Sequence, residues 1–311
     1  MKWILIVLLA LLLFGVIPFI ILAHVLYSVL LVRTKPEKWN REISIPDDEE
    51  YQRMYDEGLE WGERWKGCMS EVEVKSDGLR LAAQYFDFGG DKAVIIIPGR
   101  MESCLYSYYF AEPYRLSGYN VLCIDNRAHG NSEGKKSSLG YKEYRDILAW
   151  GRFLHEERGV REVFLHGICI GASTALFALT SKDCPEYFSG MVSDGMYVTF
   201  CESFKNHMIE QKRPMFPIFP LTMAWIRISS GANVVTDGPL YRIDKLKKPI
   251  LMIQSKEDIY SLPEKAKDLL ERCGSETKQL IYFDHGAHSR VRCNAKARYD
   301  KVIQDFLKQI Q

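Results

Sequence analysis

One stretch limits what this chain can fold into more than any other. Val163-Phe164-Leu165-His166 is a β-branched and apolar run, and it leads directly into Gly167-Ile168-Cys169-Ile170-Gly171 and then a stretch rich in small residues. That pattern predicts a strand turning at once into a helix, with Cys169 at the apex. The apex residue of such a turn takes a strained backbone conformation, so the positions two away on either side must be nearly free of side chain for strand and helix to pass. Gly167 and Gly171 meet that demand. The turn lifts the Cys169 side chain above a sheet edge and sets it at a helix N-terminus, whose partial positive charge favours an anionic sulfur. The pentapeptide alone does not separate a reactive thiol from the small buried hydrophobe that most lone cysteines are.

The surrounding sequence supplies a rhythm. Ser70 to Lys75 and Leu79 to Phe86 alternate on either side of Asp77-Gly78, as a hairpin does. Ala93 to Ile97 and Val121 to Ile124 are wholly apolar, as buried parallel strands are. Further strands are expected at Met191 to Ser193, Ile250 to Ile253 and Gln279 to Phe283. Helices are expected at about Ser103 to Leu116, Tyr141 to Glu157, Pro263 to Arg272 and Asn294 to Ile310. With the strand into the turn at Cys169 and the helix after it, this gives an α/β fold: an eight-stranded, mostly parallel sheet with helices on both faces. Gly195 to Lys248 breaks the alternation, is too long for a plain connection, and carries Phe200, Phe204, Met208, Phe216, Phe219 and Trp225. It reads as a small helical cap over the strand ends, at about 195–248.

At the N-terminus, Trp3 to Val32 is almost unbroken hydrophobic sequence. About 20 apolar residues cross a bilayer core, so a single transmembrane helix is expected within 1–32. A secretory signal has a shorter apolar region followed by a small-x-small cleavage site, which is not found here. Arg33, Lys35, Lys38 and Arg41 follow the run, against Lys2 before it, which predicts a single-pass membrane protein with its bulk on the cytoplasmic side. Within 33–69, Arg33 to Glu50 reads as a solvated linker containing Pro36 and Pro46; Tyr51, Met54, Tyr55, Leu59 and Trp65 then recur at helical spacing. The helix they mark is expected to pack on the main domain, 70–311. The formal net charge is +1, with no basic run, which argues against nucleic acid as a partner. The eight cysteines contain no Cys-x-x-Cys pair and no zinc spacing, so neither metal nor cofactor is expected and most thiols read as reduced core residues.

A thiol nucleophile needs a base, and the base needs an orienting acid. On a sheet of this kind they follow the nucleophile in the order acid, then base. Asp258 follows the strand ending near Gln254, with Glu257 as its rival; His288 follows the strand ending at Phe283, with His285 as its rival. Gly286-Ala287 lets the loop fold back and place the His288 ring over the thiol. Two backbone donors for an oxyanion are expected from the amides of Ile170, directly after the nucleophile, and Arg100, after Ile97-Pro98-Gly99. The Arg100 side chain reads as no more than a surface ion pair. His129, Asp125 and Arg127 read as braces of their loop.

With these residues in hand, the chain resembles the α/β-hydrolase superfamily over about Glu71 to Gln311, within it the membrane-anchored bacterial hydrolases similar to serine aminopeptidases and monoglyceride lipases. The resemblance is carried by Ser76-Asp77-Gly78-Leu79, Ile97-Pro98-Gly99, Asp125-Asn126-Arg127-Ala128-His129-Gly130-Asn131-Ser132, the Cys169 turn, Asp258 and Gly286-Ala287-His288. Two departures stand out: Pro98-Gly99 where the family has His-Gly, and Cys169 where it has Ser. Dienelactone hydrolase is a relative with Cys at that place. The resemblance implies hydrolysis of a carboxylic ester or related acyl bond of a small-molecule substrate on a Cys169–His288–Asp258 triad, and leaves open an acyltransferase on the same residues or a non-catalytic binding protein at the membrane.

Overall fold

A computed structural model describes residues 2–42 and 48–311. The apolar N-terminus is helical: α1 (Lys2–Ala10), a π-helical stretch (Leu11–Val16) and α2 (Ile17–Leu31). Leu13–Leu31 is long and apolar enough to cross a membrane. Helix α3 (Glu49–Arg64) comes next, capped by the Asp48 carboxylate on the Tyr51 N–H (2.9 Å). It buries Met54, Tyr55 and Trp61 against the main domain, with Tyr51 and Trp65 partly buried, whereas Leu59, expected on the same face, is exposed.

The sheet has eight strands: β1 (Met69–Ser76), β2 (Leu79–Phe86), β3 (Lys92–Ile97), β4 (Tyr119–Ile124), β5 (Glu162–Ile168), β6 (Phe188–Asp194), β7 (Ile250–Ser255) and β8 (Lys278–Phe283). Their order is β1-β2-β4-β3-β5-β6-β7-β8; β1 and β2 pair antiparallel, β2 joins β4 antiparallel, and every other pairing is parallel. The alternating side-chain directions of a strand explain the continuous apolar runs. Ile95 and Ile97 enter the core on one face, Val94 and Ile96 the core on the other, and all are fully buried. Each such side chain contributes about 2 kcal/mol of burial.

Between β3 and β4 the expected helix is broken into α4 (Cys104–Ser107), a 3-10 turn (Tyr108–Phe110) and α5 (Glu112–Leu116). Pro113 lies in the first turn of α5 and has no N–H to continue a ladder from the preceding turn. Helices α6 (Tyr144–Arg158) and α7 (Ile170–Leu179) flank β5. The cap holds α8 (Phe200–Glu210) and α9 (Ile218–Ser230). Helix α10 (Pro263–Arg272) follows β7, and the C-terminal helix is split at Ala295 into α11 (Val291–Asn294) and α12 (Lys296–Gln309).

The linker expectation needs correction where it can be examined; Pro46 and its neighbours 43–47 lie outside the described residues. The residues before them are tied to the domain. The Arg33 N–H donates to Lys135 O (2.8 Å), the Ser137 N–H to Leu31 O (2.9 Å) and the Gly130 N–H to Trp39 O (2.7 Å). Lys38 Nζ caps the end of α2 through the carbonyls of Ser28, Val29 and Val32 (3.0, 2.9 and 2.6 Å). Arg41 reaches both Glu71 and Asp125. Charge that reads as a solvated run in sequence goes into pairing, so α2 meets the main domain at a fixed place.

Candidate active site

Strand β5 lies between β3 and β6, and the register brings Ile97 beside Gly167 and Asp194 beside Ile168. The ends of three neighbouring strands therefore surround the turn. Cys169 sits there at φ 53° and ψ −111°, a strained conformation for a residue with a side chain. Its N–H donates to Asp194 O (2.8 Å), which holds the turn down. The two glycines are required by space. A Cβ on Gly167 would lie 2.4 Å from Ala172 Cα, and one on Gly171 would lie 2.1 Å from Ile97 O.

Asp258 and His288 reach this point from β7 and β8. The Asp258 side chain is almost fully buried, and Oδ1 accepts the N–H groups of Tyr260 (2.9 Å) and Ser261 (2.8 Å). Those bonds fix the carboxylate and aim Oδ2 at His288 Nδ1, 2.6 Å away. Cys169 lies near enough to the His288 ring to act on its charge. Burial works against charge on His288, but Asp258 and Cys169 outweigh it and hold the imidazole pKa well above its ordinary value. The rivals lie elsewhere: His285 is exposed and pairs with Glu257 (3.1 Å), whose other oxygen accepts the Gly286 N–H (2.9 Å).

The loop after β3 brings Arg100 to the cavity that Cys169 lines. Its shape is held by groups the sequence does not single out. Glu102 accepts the Gly99 N–H (2.7 Å) and the Tyr51 hydroxyl (3.4 Å); burial pushes its carboxyl up to about 7. The Met101 N–H donates to His129 Nε2 (3.3 Å), whose ring stacks on Trp39 and whose Nδ1–H donates to Arg127 O (3.0 Å). Burial pushes His129 down to about 4, so it stays neutral and can accept that bond. Asp125 accepts the N–H groups of Cys104 (2.8 Å) and Asn131 (2.9 Å), and Arg127 pairs with Asp146 (2.6 Å). All three act as braces. The Arg100 side chain differs from expectation: it faces a cavity beside Cys169 and donates to Met101 Sδ (3.0 Å) rather than forming a surface ion pair.

Gly195 and Tyr260 also escape a reading of the sequence. Gly195, at φ 65°, leaves the space in which His288 stands; a Cβ there would lie 3.1 Å from His288 Cε1. Tyr260 presents its ring edgewise to His288 (5.8 Å) and stacks on His207 of α8 (3.6 Å), linking the cap to the imidazole. Only a glycine just past a strand end and an aromatic two residues after the acid hinted at either. The cavity over Cys169 measures about 210 Å³ and is walled by Arg100, Ile170, Tyr197, Phe204 and His207, with Val29 and Leu30 of α2. All eight cysteines are free thiols, and among the described residues no cluster of side chains suits a metal.

Comparison with known proteins agrees with this architecture. A family model described as the alpha/beta hydrolase fold matches residues 92–234. The uncharacterized protein YqkD of Bacillus subtilis is 29% identical over 216 residues, spanning 69% of this chain and 70% of its own. An esterase from Pyrococcus furiosus superposes with a TM-score of 0.68 at 23% identity, covering 80% of this chain and 93% of that one. An esterase from Exiguobacterium antarcticum gives 0.57 at 16% identity, covering 77% and 100%. With its strand order, its turn at the end of β5 and this match to the family model over residues 92–234, the chain has the alpha/beta hydrolase fold.

Proposed function

We propose that this protein is an esterase-like hydrolase that cleaves a carboxylic ester or related acyl bond through a covalent acyl-enzyme on Cys169, held at a membrane by its N-terminal helix. What supports the reading is the Asp258 Oδ2–His288 Nδ1 hydrogen bond of 2.6 Å, the influence of Cys169 on the same imidazole, and the cavity that Cys169 lines. The Cys169 thiolate attacks the acyl carbonyl carbon. The amides of Ile170 and Arg100 take the developing oxyanion. As the tetrahedral species collapses, the C–O bond to the leaving group breaks, and His288 gives that oxygen its proton. Water then attacks the thioester with His288 as base, the acid departs and the thiolate returns. Asp258 keeps the proton-bearing Nδ1 turned towards itself throughout. Amides have a poorer leaving group and are slower substrates. The excess of Arg and Lys just after α2 favours the cytoplasmic side for the domain.

Incubating the full-length protein with p-nitrophenyl esters of graded chain length should release nitrophenol and leave an acyl group on the Cys169 peptide, seen by mass spectrometry after acid quench. Turnover with no such adduct in quenched samples or with slow thioester analogues would refute the covalent route. No turnover and no adduct would favour a binding protein, and acyl transfer to added alcohols in preference to water would favour an acyltransferase.

The raised pKa of His288 gives a pH test. A protonated imidazole is the acid that expels the leaving group, so kcat/KM falls on the alkaline side as His288 loses its proton, well above its ordinary value. Asp258→Asn removes the carboxylate that raises it. The alkaline limb should then move to lower pH, with kcat reduced about 100-fold or more. An alkaline limb that stays in place would remove Asp258 from this role.

A further inference from the structure

The cavity over Cys169 is not closed by the hydrolase domain alone. Val29 and Leu30, in the last turn of the apolar helix α2, form part of its wall. That turn is fixed there by the Lys38 cap and by the backbone bonds at Leu31 and Arg33. Along its length α2 packs on cap helix α9: Ala23, Tyr27 and Leu31 are buried, His24 meets Trp225 edge to face (5.0 Å), and Tyr27 and Leu31 share a core with Phe204, Met223 and Ile226. A helix apolar enough to span a bilayer thus runs straight to the rim of the nucleophile's pocket.

Cap helix α9 points the same way. Its inner face, Ile218, Thr222, Met223 and Ile226, is buried. Its outer face stays apolar: Phe216 just before it is 85% exposed, Ile228 is 79% exposed, and Pro220 and Ala224 are exposed at the intervening four-residue steps. A helix face against water is ordinarily polar. Here the apolar stripe lies on the helix that packs against α2, and Lys212, Arg213 and Arg227 stand exposed on or before that helix, as basic residues do at a headgroup layer. The occupant this surface fits is the bilayer itself.

The lining of the pocket narrows the ligand. It contains Arg100 and Arg213 and neither Asp nor Glu. Neither guanidinium lies within ion-pair distance of a carboxylate among the described residues. Burial and the neighbouring cations Arg100, His288 and Arg213 push His207 down to about 4, as expected where positive charge is in excess. At about 210 Å³ the cavity is below the ~300–1,000 Å³ usual for small-molecule sites, and Val29 and Leu30 stand in its wall, so a chain too long for it would have α2 to run along.

We propose that the substrate is a single-chain acyl lipid with an anionic headgroup, taken laterally from the bilayer, and that the last turn of α2 is a wall of its acyl channel. The proposal rests on the hydrolase reading above. The acyl chain lies between α2 and α8, its carbonyl reaches Cys169, and the headgroup meets Arg100 and Arg213. The membrane helix is then part of the specificity of the site as well as a tether.

The test uses the full-length protein in phosphatidylcholine nanodiscs and three substrates: p-nitrophenyl butyrate, oleoyl glycerol and oleoyl lysophosphatidylglycerol. The anionic lipid should be cleaved with a kcat/KM at least about tenfold above the neutral one. Leu30→Trp should lower turnover of both oleoyl lipids about tenfold relative to the butyrate ester. Arg213→Glu should lower the ratio of anionic to neutral lipid turnover by a similar factor. Butyrate cleaved with neither lipid cleaved, or both ratios unmoved by the substitutions, would overturn the proposal while leaving the hydrolase reading standing. No cleavage of any of the three would end both.

Discussion

Cys169→Ala is expected to reduce kcat for ester hydrolysis by at least about 1,000-fold while leaving the protein folded. The size of the effect follows from the geometry. Without sulfur there is no atom above the sheet edge to form the acyl-enzyme, and His288 can only assist a water that the pocket was not shaped to hold. The remaining catalysis is what the Ile170 and Arg100 amides and simple binding provide, so KM should change little. Stability should change little as well. The apex residue at φ 53° is strained with either side chain, and Cys169 is only partly buried. The variant should therefore melt within a few degrees of the parent, which separates loss of chemistry from loss of fold. His288 should lose one of the two groups that raise its pKa, visible as a move of its NMR titration midpoint to lower pH. Retained turnover in Cys169→Ala would mean another nucleophile and would end the mechanism set out above.

Much of this arrangement could be read from the chain because it rests on local patterns. Strands β2 and β7 and helix α10 declare themselves through alternation, an unbroken apolar run or a proline at the helix start. The turn at Cys169 does so through two glycines whose spacing has only one steric use. Asp258 and His288 are legible because each follows a strand end, where ligands of parallel sheets gather. What was hidden depends on contacts between distant segments. Glu102 sits beside an ordinary run of aromatic residues, and only the fold brings its carboxylate to the Gly99 N–H. Gly195 looks like any loop glycine until the His288 ring stands against it. The basic residues after α2 look solvated, since nothing local shows that Lys38 folds back on helix carbonyls or that Arg41 finds Asp125. Periodicity likewise marks α2 as apolar without telling that its last turn borders the nucleophile.

Gly171→Ala should cost at least about 2 kcal/mol of stability and should bring most of the activity down with it. The added Cβ would fall 2.1 Å from Ile97 O, 2.9 Å from Ile97 C and 3.0 Å from Pro98 O. These are backbone atoms at the end of a central strand, so no side chain can swing away to make room. Either α7 must lift from the sheet or the end of β3 must move. The first shifts Cys169 and the Ile170 amide; the second shifts Gly99 and Arg100. Both change the distance between the nucleophile and the proposed Arg100 donor, and a displacement of about 1 Å can cost a hundredfold in rate. Gly159→Ala is the matching control. Gly159 has φ 68° with nothing within 4 Å of its would-be Cβ, so alanine there meets backbone strain alone, about 1 kcal/mol. Thermal melts should place Gly171→Ala about 4–8 °C below the parent, clearly beneath Gly159→Ala, at about 2–4 °C per kcal/mol for a domain of this size. Equal melting points for the two variants would show that helix and strand at this turn yield freely, and the steric account of the paired glycines would fall.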